Sequence, residues 1–180
     1  SGYSTPVRLS LSGTPLNETL VCLHQILPEF QRENKVQKVQ CIILTDGEAA
    51  HLTHHVVVQR HWENEPYMGR RQLHGGSFLR DRKTGNTYQI PYGWHGFSDL
   101  MLQNLRDNFP TVNFVGIRVL ESRDANSFIK MYYDQFTDEY QKVYGDWKKL
   151  RSFTIKNSGY HAYFGLSSNT LSQDSEFEVD

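Results

Sequence analysis

Two oxygen-bearing side chains, Thr14 and Asp46, are the first candidates for chemistry in this sequence. Thr14 precedes a segment with helical periodicity, and Asp46 directly follows the apolar run CIILT. Mg²⁺ prefers oxygen ligands in near-octahedral geometry and usually keeps several waters. The two residues are therefore candidate ligands of Mg²⁺, with Mn²⁺ or Ca²⁺ as further possibilities. Simpler roles also fit, because threonine is a common helix cap and aspartate is common in tight turns.

A second group of candidates combines basic and aromatic side chains between residues 49 and 96. Its most prominent members are Trp62, Arg70, Arg71 and Trp94. Guanidinium groups bind phosphates and aromatic rings stack on bases, so this group predicts a possible nucleic-acid-binding surface. Trp and Arg are also frequent anchors of protein interfaces. The simplest interpretation is a small sheet with aromatic residues on one face and charges on the other.

Histidines are also frequent in this region, and His51, His54 and His55 suggest a third possibility, a metal-dependent hydrolase that also uses Asp46. No HExxH pattern accompanies them. The run VVV follows directly and favours a strand, in which His51 and His55 would share a face but lie too far apart to bind one zinc ion. We therefore favour a non-catalytic protein over an enzyme.

The elements that must position these residues begin with a helix. Leu16, Leu20, Leu23 and Leu27 have helical spacing, which predicts a helix over residues 15–34 with Thr14 as its cap and Pro15 in the first helical position. A proline in a helix removes a backbone hydrogen bond, so the proline at position 28 is expected to kink or end this helix. The next segment, KVQCIILTDG, predicts a buried parallel strand that ends in a functional loop.

The rest of the chain continues this alternation of helix and strand. Residues 49–96 are expected to form a small antiparallel sheet or ribbon, with KTGN as a hairpin turn. We then predict a helix at FSDLMLQNLRDNF, a buried strand at TVNFVGIRVL, a helix in two pieces from SRDANSF to DWKKL, closing strands at RSFTIKN and GYHAYFGL, and a loose acidic tail. A strand, a crossover helix and a second strand imply a parallel sheet, so the predicted fold class is α/β.

Composition narrows the possible functions. The chain has 180 residues and a net charge of -1, which suits a single domain and argues against binding of nucleic acid or anionic lipid by overall charge. No run of 18 apolar residues is present, so a membrane partner is not expected. Cys22 and Cys41 lie in apolar runs and are expected to be small buried thiols, which favours a reducing compartment.

The order of these elements resembles the von Willebrand factor A (VWA) domain family, in its intracellular and phage-encoded branch. The segment SGTPLNETL resembles the family's loop that carries a metal-site threonine before a helix, and CIILTDGE resembles the strand that ends in a metal-site aspartate. The segments FVGIRV and GYHAYF extend the resemblance over most of the chain outside residues 49–96. It implies a three-layer, Rossmann-like fold with a mostly parallel sheet flanked by helices. Residues 1–180 would then be a single VWA-like domain with a β-rich insertion at 49–96.

The resemblance also implies a function. In this family the magnesium ion of a metal-ion-dependent adhesion site leaves one coordination position for a carboxylate of a partner protein. Thr14 and Asp46 match the ligand positions, so the implied protein is a non-catalytic interaction domain in a larger assembly. The implied partner is an AAA+ ATPase or a virion component, in the cytoplasm or in a phage particle.

One part of the family pattern is missing from this sequence. The family's DxSxS motif, which follows the opening strand, has no counterpart in residues 1–12. Either the chain is the C-terminal part of a longer protein and matches only that part of the fold, or its metal site is degenerate. With only Thr14 and Asp46 in place, the chain is expected to bind metal weakly by itself. A sheet without its opening strand is also expected to expose an edge and a hydrophobic face.

Overall fold

The structure, a computed structural model, describes residues 14–47, 49, 52–62, 64–92 and 96–171. It has four α-helices and eight strands in these ranges. In chain order they are α1 (Leu16–Asn34), β1 (Val39–Thr45), β2 (Thr53–Val58), β3 (Tyr67–Gln72), β4 (Phe78–Arg80), β5 (Thr87–Gln89), α2 (Gly96–Asn108), β6 (Val112–Leu120), α3 (Ala125–Tyr132), α4 (Asp138–Leu150), β7 (Ser152–Ile155) and β8 (Ala162–Ser167), followed by a 3₁₀ turn, Ser168–Leu171.

The main sheet has four strands in the order β1-β6-β8-β7. β1, β6 and β8 are parallel, and β7 pairs with β8 in the antiparallel direction. The insertion and helix α2 lie between β1 and β6 in the chain, and α3 and α4 lie between β6 and β7. The predicted mixed α/β class, the parallel pair formed by CIILT and VNFVGIRVL, and the helix in two pieces are confirmed.

The core lies on one face of this sheet. Side chains of β6, β7 and β8 alternate between buried and more accessible positions, and the buried ones face the helices. Phe153 of β7 packs with Trp147 of α4 and Phe128 of α3, and Phe128 also packs edge-on against Tyr163 of β8. The buried apolar side chains of this face are those of Val112, Phe114, Leu120, Phe153, Ile155 and Tyr163.

The opposite face of the sheet is apolar but accessible. Ile42 and Leu44 of β1 are 63% and 66% exposed, and Phe164 of β8 is also exposed. The prediction that CIILT is a buried strand is therefore wrong for one of its two faces. Within the described residues, the helices pack on the other face of β1, where Val39, Cys41 and Ile43 contact the core, so Ile42 and Leu44 point away from it.

Helix α1 differs from its prediction at its start. Pro15 occupies the N-cap position and no side chain caps the helix there, so Thr14 is not the cap residue. Pro28 lies inside the helix, which continues to Asn34 and does not end at the proline. The N–H group missing at Pro28 leaves one backbone bond unmade, but Leu23 and Leu27 remain buried and hold the helix on the core.

The insertion consists of two antiparallel hairpins, β2–β3 and β4–β5, as the sequence predicted. KTGN forms the turn of the second hairpin, in which Gly85 has a φ of +79°. Asp81 fastens this hairpin to α2, because its Oδ2 accepts hydrogen bonds from Asn104 Nδ2 at 2.7 Å and Asn108 Nδ2 at 2.6 Å. Its Oδ1 accepts the backbone N–H groups of Lys83 and Thr84 in the turn.

The two cysteines differ in how accessible they are. Cys22 is exposed on α1 and Cys41 is half-buried, so the prediction of two buried thiols is wrong for Cys22. Burial raises the pKa of the Cys41 thiol.

No helix in the described part of the chain is long and apolar enough to cross a membrane. The acidic tail and residues 1–12, whose sequence lacks the DxSxS motif, lie outside the described residues.

We predict that Asp81→Ala lowers the free energy of unfolding by about 1–3 kcal/mol, because four donors lose a charged acceptor. The hydrogen bond from Asn108, with those from Asn104 and the turn, lowers the pKa of Asp81 well below its ordinary 3.8, against an opposing effect of burial. The stability from this carboxylate is therefore present above about pH 4 and is lost as the pH falls further. Urea unfolding of wild type and variant at several pH values measures both effects. Glu65→Ala, at an exposed position of the same insertion, is the control; equal losses in both variants would contradict the prediction.

Candidate functional site

Thr14 and the loop after β1 meet at the carboxyl end of the sheet. Thr14 forms an isolated parallel bridge with Ala49. Its side chain also packs directly on Gly47, where an added Cβ would overlap Thr14 Oγ1 and lie 3.1 Å from Thr14 Cβ. The two sequence segments that predicted a common site are therefore adjacent in space. A glycine is needed at position 47 because the threonine occupies the space of a side chain.

Hydrogen bonds fix the shape of the loop that carries Asp46. Thr45 Oγ1 accepts the backbone N–H of Gly47 at 3.2 Å and lies 3.0 Å from the Gly47 carbonyl oxygen, to which it donates. Asp46 lies between these two residues and is exposed. The loop thus adds a third oxygen-bearing side chain, Thr45, to the pair predicted from sequence. Thr45 belongs to the same TDG motif as Asp46, and its place in that motif is the sequence signal that identifies it.

The N-termini of α1 and α2 approach this edge and are joined by a side-chain hydrogen bond. Asn17, in the first turn of α1, is buried, and its Oδ1 accepts a hydrogen bond from Ser98 Oγ of α2 at 2.8 Å. Buried polar atoms must find partners, so this pair fixes the first turn of α1 relative to that of α2. Asn17 was missed in the sequence because polar residues are ordinary in a first helical turn.

A buried guanidinium lies on the helical side of the site. Arg118, near the end of β6, is paired in register with Thr45, and its guanidinium carbon lies 5.5 Å from the centre of the Phe128 ring. Arg118, Thr45, Gly47 and Ser98 line a small cavity of about 20 Å³. The positive charge of Arg118 is buried, whereas the Asp46 carboxylate is at the surface. The site therefore has a cationic interior and an anionic, oxygen-rich exterior.

The other predicted surface residues lie on the β2–β3 hairpin, which we call the ribbon (residues 53–72). His54 is opposite Arg71 and His55 is opposite Arg70, so each arginine shares a face with a histidine. Arg70 and Arg71 are neighbours in one strand and point to opposite faces of the ribbon. The structure therefore does not bring the two arginines together on one surface.

The tip of the ribbon is aromatic and accessible. Trp62 is 76% exposed, and the guanidinium of Arg60 lies 5.8 Å from the Trp62 ring centre and 5.3 Å from that of Tyr67. Val57 and Met68, opposite each other in register, are exposed on the face that carries Arg70. Trp94 and His51, the other candidates from this region, lie outside the described residues.

Metal-ligand geometry gives little support to the hydrolase alternative. His54 and His55 are successive residues of β2 and point to opposite faces of the ribbon. Within the described ranges, no group of three or more His, Cys, Asp or Glu side chains could hold a metal ion. Near Asp46 the neighbouring oxygen-bearing side chains are those of Thr14 and Thr45, which carry hydroxyl groups and not carboxylates.

Comparison with known proteins does not extend these observations. No protein-family model, no curated protein and no solved structure matches the chain. The resemblance to VWA domains therefore stays a prediction, based on the motifs around Thr14 and Asp46.

We predict that Gly47→Ala destabilises the protein by about 1–3 kcal/mol, because the new methyl group displaces the Thr14 hydroxyl. Thr14→Ala removes the overlapping oxygen, so the double variant should recover part of this loss. A double-mutant cycle measured by urea unfolding gives the coupling, which we expect to exceed about 0.5 kcal/mol. Strictly additive effects would show that the two loops are not in contact.

Proposed function

We propose that this protein is a non-catalytic protein–protein interaction domain that uses a bound Mg²⁺-type ion, in the manner of a VWA adhesion site. The observation that carries the proposal is the contact between Thr14 and the TDG loop at the carboxyl end of β1. Open parallel sheets bind their ligands at this end, where the loops from successive strands meet. Thr14 and Asp46, far apart in sequence, are the residues that this arrangement places in neighbouring loops.

The donor set fits a hard divalent cation in part. Thr14, Thr45 and Asp46 offer two hydroxyl oxygens and a carboxylate, which are ligands that Mg²⁺ prefers over softer metals. Mn²⁺ and Ca²⁺ bind oxygen donors too and are the alternatives. With one carboxylate among the three side chains, the remaining coordination positions fall to water and to a carboxylate of the partner. Binding by this chain alone should therefore be weak.

The same proposal extends to the fold and to the partner. A VWA-like, three-layer arrangement would place further helices over the exposed face that includes Ile42 and Leu44, since parallel sheets are normally covered on both sides. The partner would be a protein that presents an acidic side chain, such as an AAA+ ATPase or a virion component, in the cytoplasm or in a phage particle. The support for these classes is the resemblance of the SGTPL and ILTDG motifs.

We predict that Mg²⁺ raises the melting temperature of the protein relative to EDTA, because an ion bound only by the folded state stabilises it. Asp46→Asn should abolish this difference, since it removes the only carboxylate of the set. Differential scanning fluorimetry over a Mg²⁺ titration measures the effect, and Mn²⁺ binding followed by electron paramagnetic resonance gives the affinity directly.

Glu33→Gln, at an exposed position near the end of α1, is the matched control because it removes one charge far from the TDG loop. It should leave the response to Mg²⁺ unchanged. The proposal fails if the melting temperature is the same in Mg²⁺ and EDTA, or if Asp46→Asn and Glu33→Gln behave alike.

A second candidate function is nucleic-acid binding by the ribbon. The observation in its favour is the exposed position of Trp62 beside Arg60, with Arg70 on the same hairpin. Aromatic rings of this kind stack on unpaired bases, and arginines contact the phosphates of the backbone. Arg70 and Arg71 lie on opposite faces of the ribbon, so one strand of nucleic acid would contact only one of the two arginines at a time.

We predict for this alternative that binding of single-stranded DNA weakens steeply with salt, and that Arg70→Ala lowers the slope of log K against log salt concentration by about 1. Fluorescence anisotropy with a labelled oligonucleotide measures both quantities. Arg82→Ala, which removes the same charge from the turn of the β4–β5 hairpin, is the control. Salt-independent binding, or the same slope in both variants, would contradict nucleic-acid binding by the ribbon.

A further inference from the structure

A groove of about 940 Å³ runs along α2 in the described part of the molecule. Its floor is one face of the helix, which includes Gln103, Arg106 and Asp107. Strand β5 forms one wall, and the loop before β8, residues 157–161, forms the other. Binding cavities for small organic molecules usually measure about 300–1,000 Å³, so the groove has the size of such a site.

The 157–161 loop is held closely against α2. The Gly159 N–H donates to Asp99 Oδ1 at 2.7 Å, and Arg106 Nη1 donates to the Gly159 carbonyl oxygen at 3.2 Å. A Cβ at position 159 would lie 2.7 Å from Asp99 Cα, so any side chain there would push the loop away from the helix. Arg106 is therefore fixed against this wall. A guanidinium has five N–H donors, so its bond to Gly159 leaves others for a ligand.

His161, at the end of the same loop, has a fixed ring orientation and a fixed tautomer. Its Nδ1 accepts the backbone N–H of Phe114 at 3.0 Å, and its own backbone N–H donates to the Phe114 carbonyl oxygen at 2.9 Å. Burial, together with the charge of Arg106, lowers the pKa of His161, so the ring is uncharged at neutral pH. An uncharged ring with Nδ1 as the acceptor carries its proton on Nε2, on the side away from that bond. Since His161 is exposed and lines the groove, Nε2–H is a donor there.

These donors form a cationic, hydrogen-bonding end of the groove. Arg106 bonds the loop two residues before His161, and its charge is near enough to lower the pKa of that histidine. Asn157 and Ser158 of the same loop also line the groove and carry polar side chains that donate hydrogen bonds. A guanidinium surrounded by neutral donors is suited to bind an oxyanion, because hydrogen bonds to a charged acceptor are the strong ones.

The opposite side of the groove has a different chemistry. Asp107 lies against β5, because its Oδ2 accepts the Tyr88 hydroxyl at 2.6 Å, whereas Arg106 lies against the 157–161 loop. Gln103 is on the floor between the two walls and offers both an amide donor and an acceptor. A carboxylate and an amide accept hydrogen bonds from hydroxyl groups, so a ligand with an anion at one end and hydroxyl groups at the other matches both sides.

We propose that this groove binds a small polyhydroxylated oxyanion, such as a sugar phosphate or a sugar acid. Arg106 and His161 Nε2–H bind the oxyanion, and Asp107 and Gln103 bind hydroxyl groups of the same molecule. Phosphate and carboxylate share this recognition chemistry. His161 directly precedes β8, and Phe114 is near the start of β6, so this end of the groove is at the amino ends of the strands. The TDG loop is at the carboxyl end, and the proposal does not rest on the metal site.

The test is a titration of the full chain followed by proton–nitrogen NMR correlation spectra at constant ionic strength. The probes are glucose esterified with phosphate on its primary hydroxyl group, and gluconate. Each should cause saturable shifts at the amides of the 157–161 loop and bind about tenfold or more tightly than inorganic phosphate or acetate, which lack the hydroxyl groups. The probe with the lower dissociation constant shows whether the site prefers a phosphate or a carboxylate.

Two matched pairs of variants test the assigned residues. Arg106→Gln should weaken binding of the preferred probe about tenfold or more, whereas Arg123→Gln, at an exposed position after β6, should bind like wild type. His161→Asn keeps an acceptor for the Phe114 N–H and lacks the Nε2 donor, so it should weaken binding and keep the melting temperature. His161→Phe lacks the acceptor as well and should lower both, which separates binding from folding.

Three results would overturn the proposal. They are spectra without saturable shifts in the 157–161 loop for either probe, equal effects of Arg106→Gln and Arg123→Gln, and inorganic phosphate and acetate that bind as tightly as the hydroxylated probes. Asp46→Asn should leave the binding of both probes unchanged. The groove and the proposed metal site can therefore fail or succeed separately.

Discussion

The parallel pairing of β1, β6 and β8, with one face buried under the helices, is the constraint on which the rest of the molecule depends. A slip of one residue in this register would turn Phe114 and Leu120 toward water and bring the opposite face into the core, so the pairing is strongly specified. Once it is set, the ends of β1 and β6 are placed side by side. Thr45 and Arg118 then lie next to each other, and the TDG loop projects from the carboxyl edge. The proposed metal site depends on this edge.

Polar groups then complete what apolar packing leaves undetermined. Apolar burial is not directional and would allow α1 and α2 to slide over the sheet. The hydrogen bond between Asn17 and Ser98 fixes α1 relative to α2 at the carboxyl edge of the sheet. Asp81 has the same role for the β4–β5 hairpin, which it fastens to α2. Both sets of hydrogen bonds fix the position of a surface element and add little to the apolar core. Both also involve polar residues that hydrophobic periodicity does not identify.

The positions of the helices and strands could be predicted well from the sequence, but the burial of their side chains could not. Periodicity located the helices and the strands of the main sheet because each reflects a local backbone geometry. It did not show that one face of β1 is accessible, since the packing of helices on a sheet depends on long-range contacts, and the sequence around Ile42 does not reveal that its side chain is exposed. The burial of Cys22 was predicted wrongly for a related reason. Its neighbours in sequence are apolar, but its side chain is exposed. Thr14 and Asp46 were selected by motif, and their neighbouring positions could not have followed from spacing alone.

The ribbon leaves the domain and returns to it at one point, so its sequence and length can change independently of the domain. Its two ends are joined by a hydrogen bond from the Leu73 N–H to the Leu52 carbonyl oxygen, so the chain leaves and returns at almost the same point. The loop-closure entropy of such an excursion depends only weakly on its length. Residues between these two leucines can therefore be shortened, extended or exchanged with little effect on the sheet below. Natural variants of this protein would be expected to differ most in this segment, and it offers a place to insert a reporter or an epitope without disturbing the core.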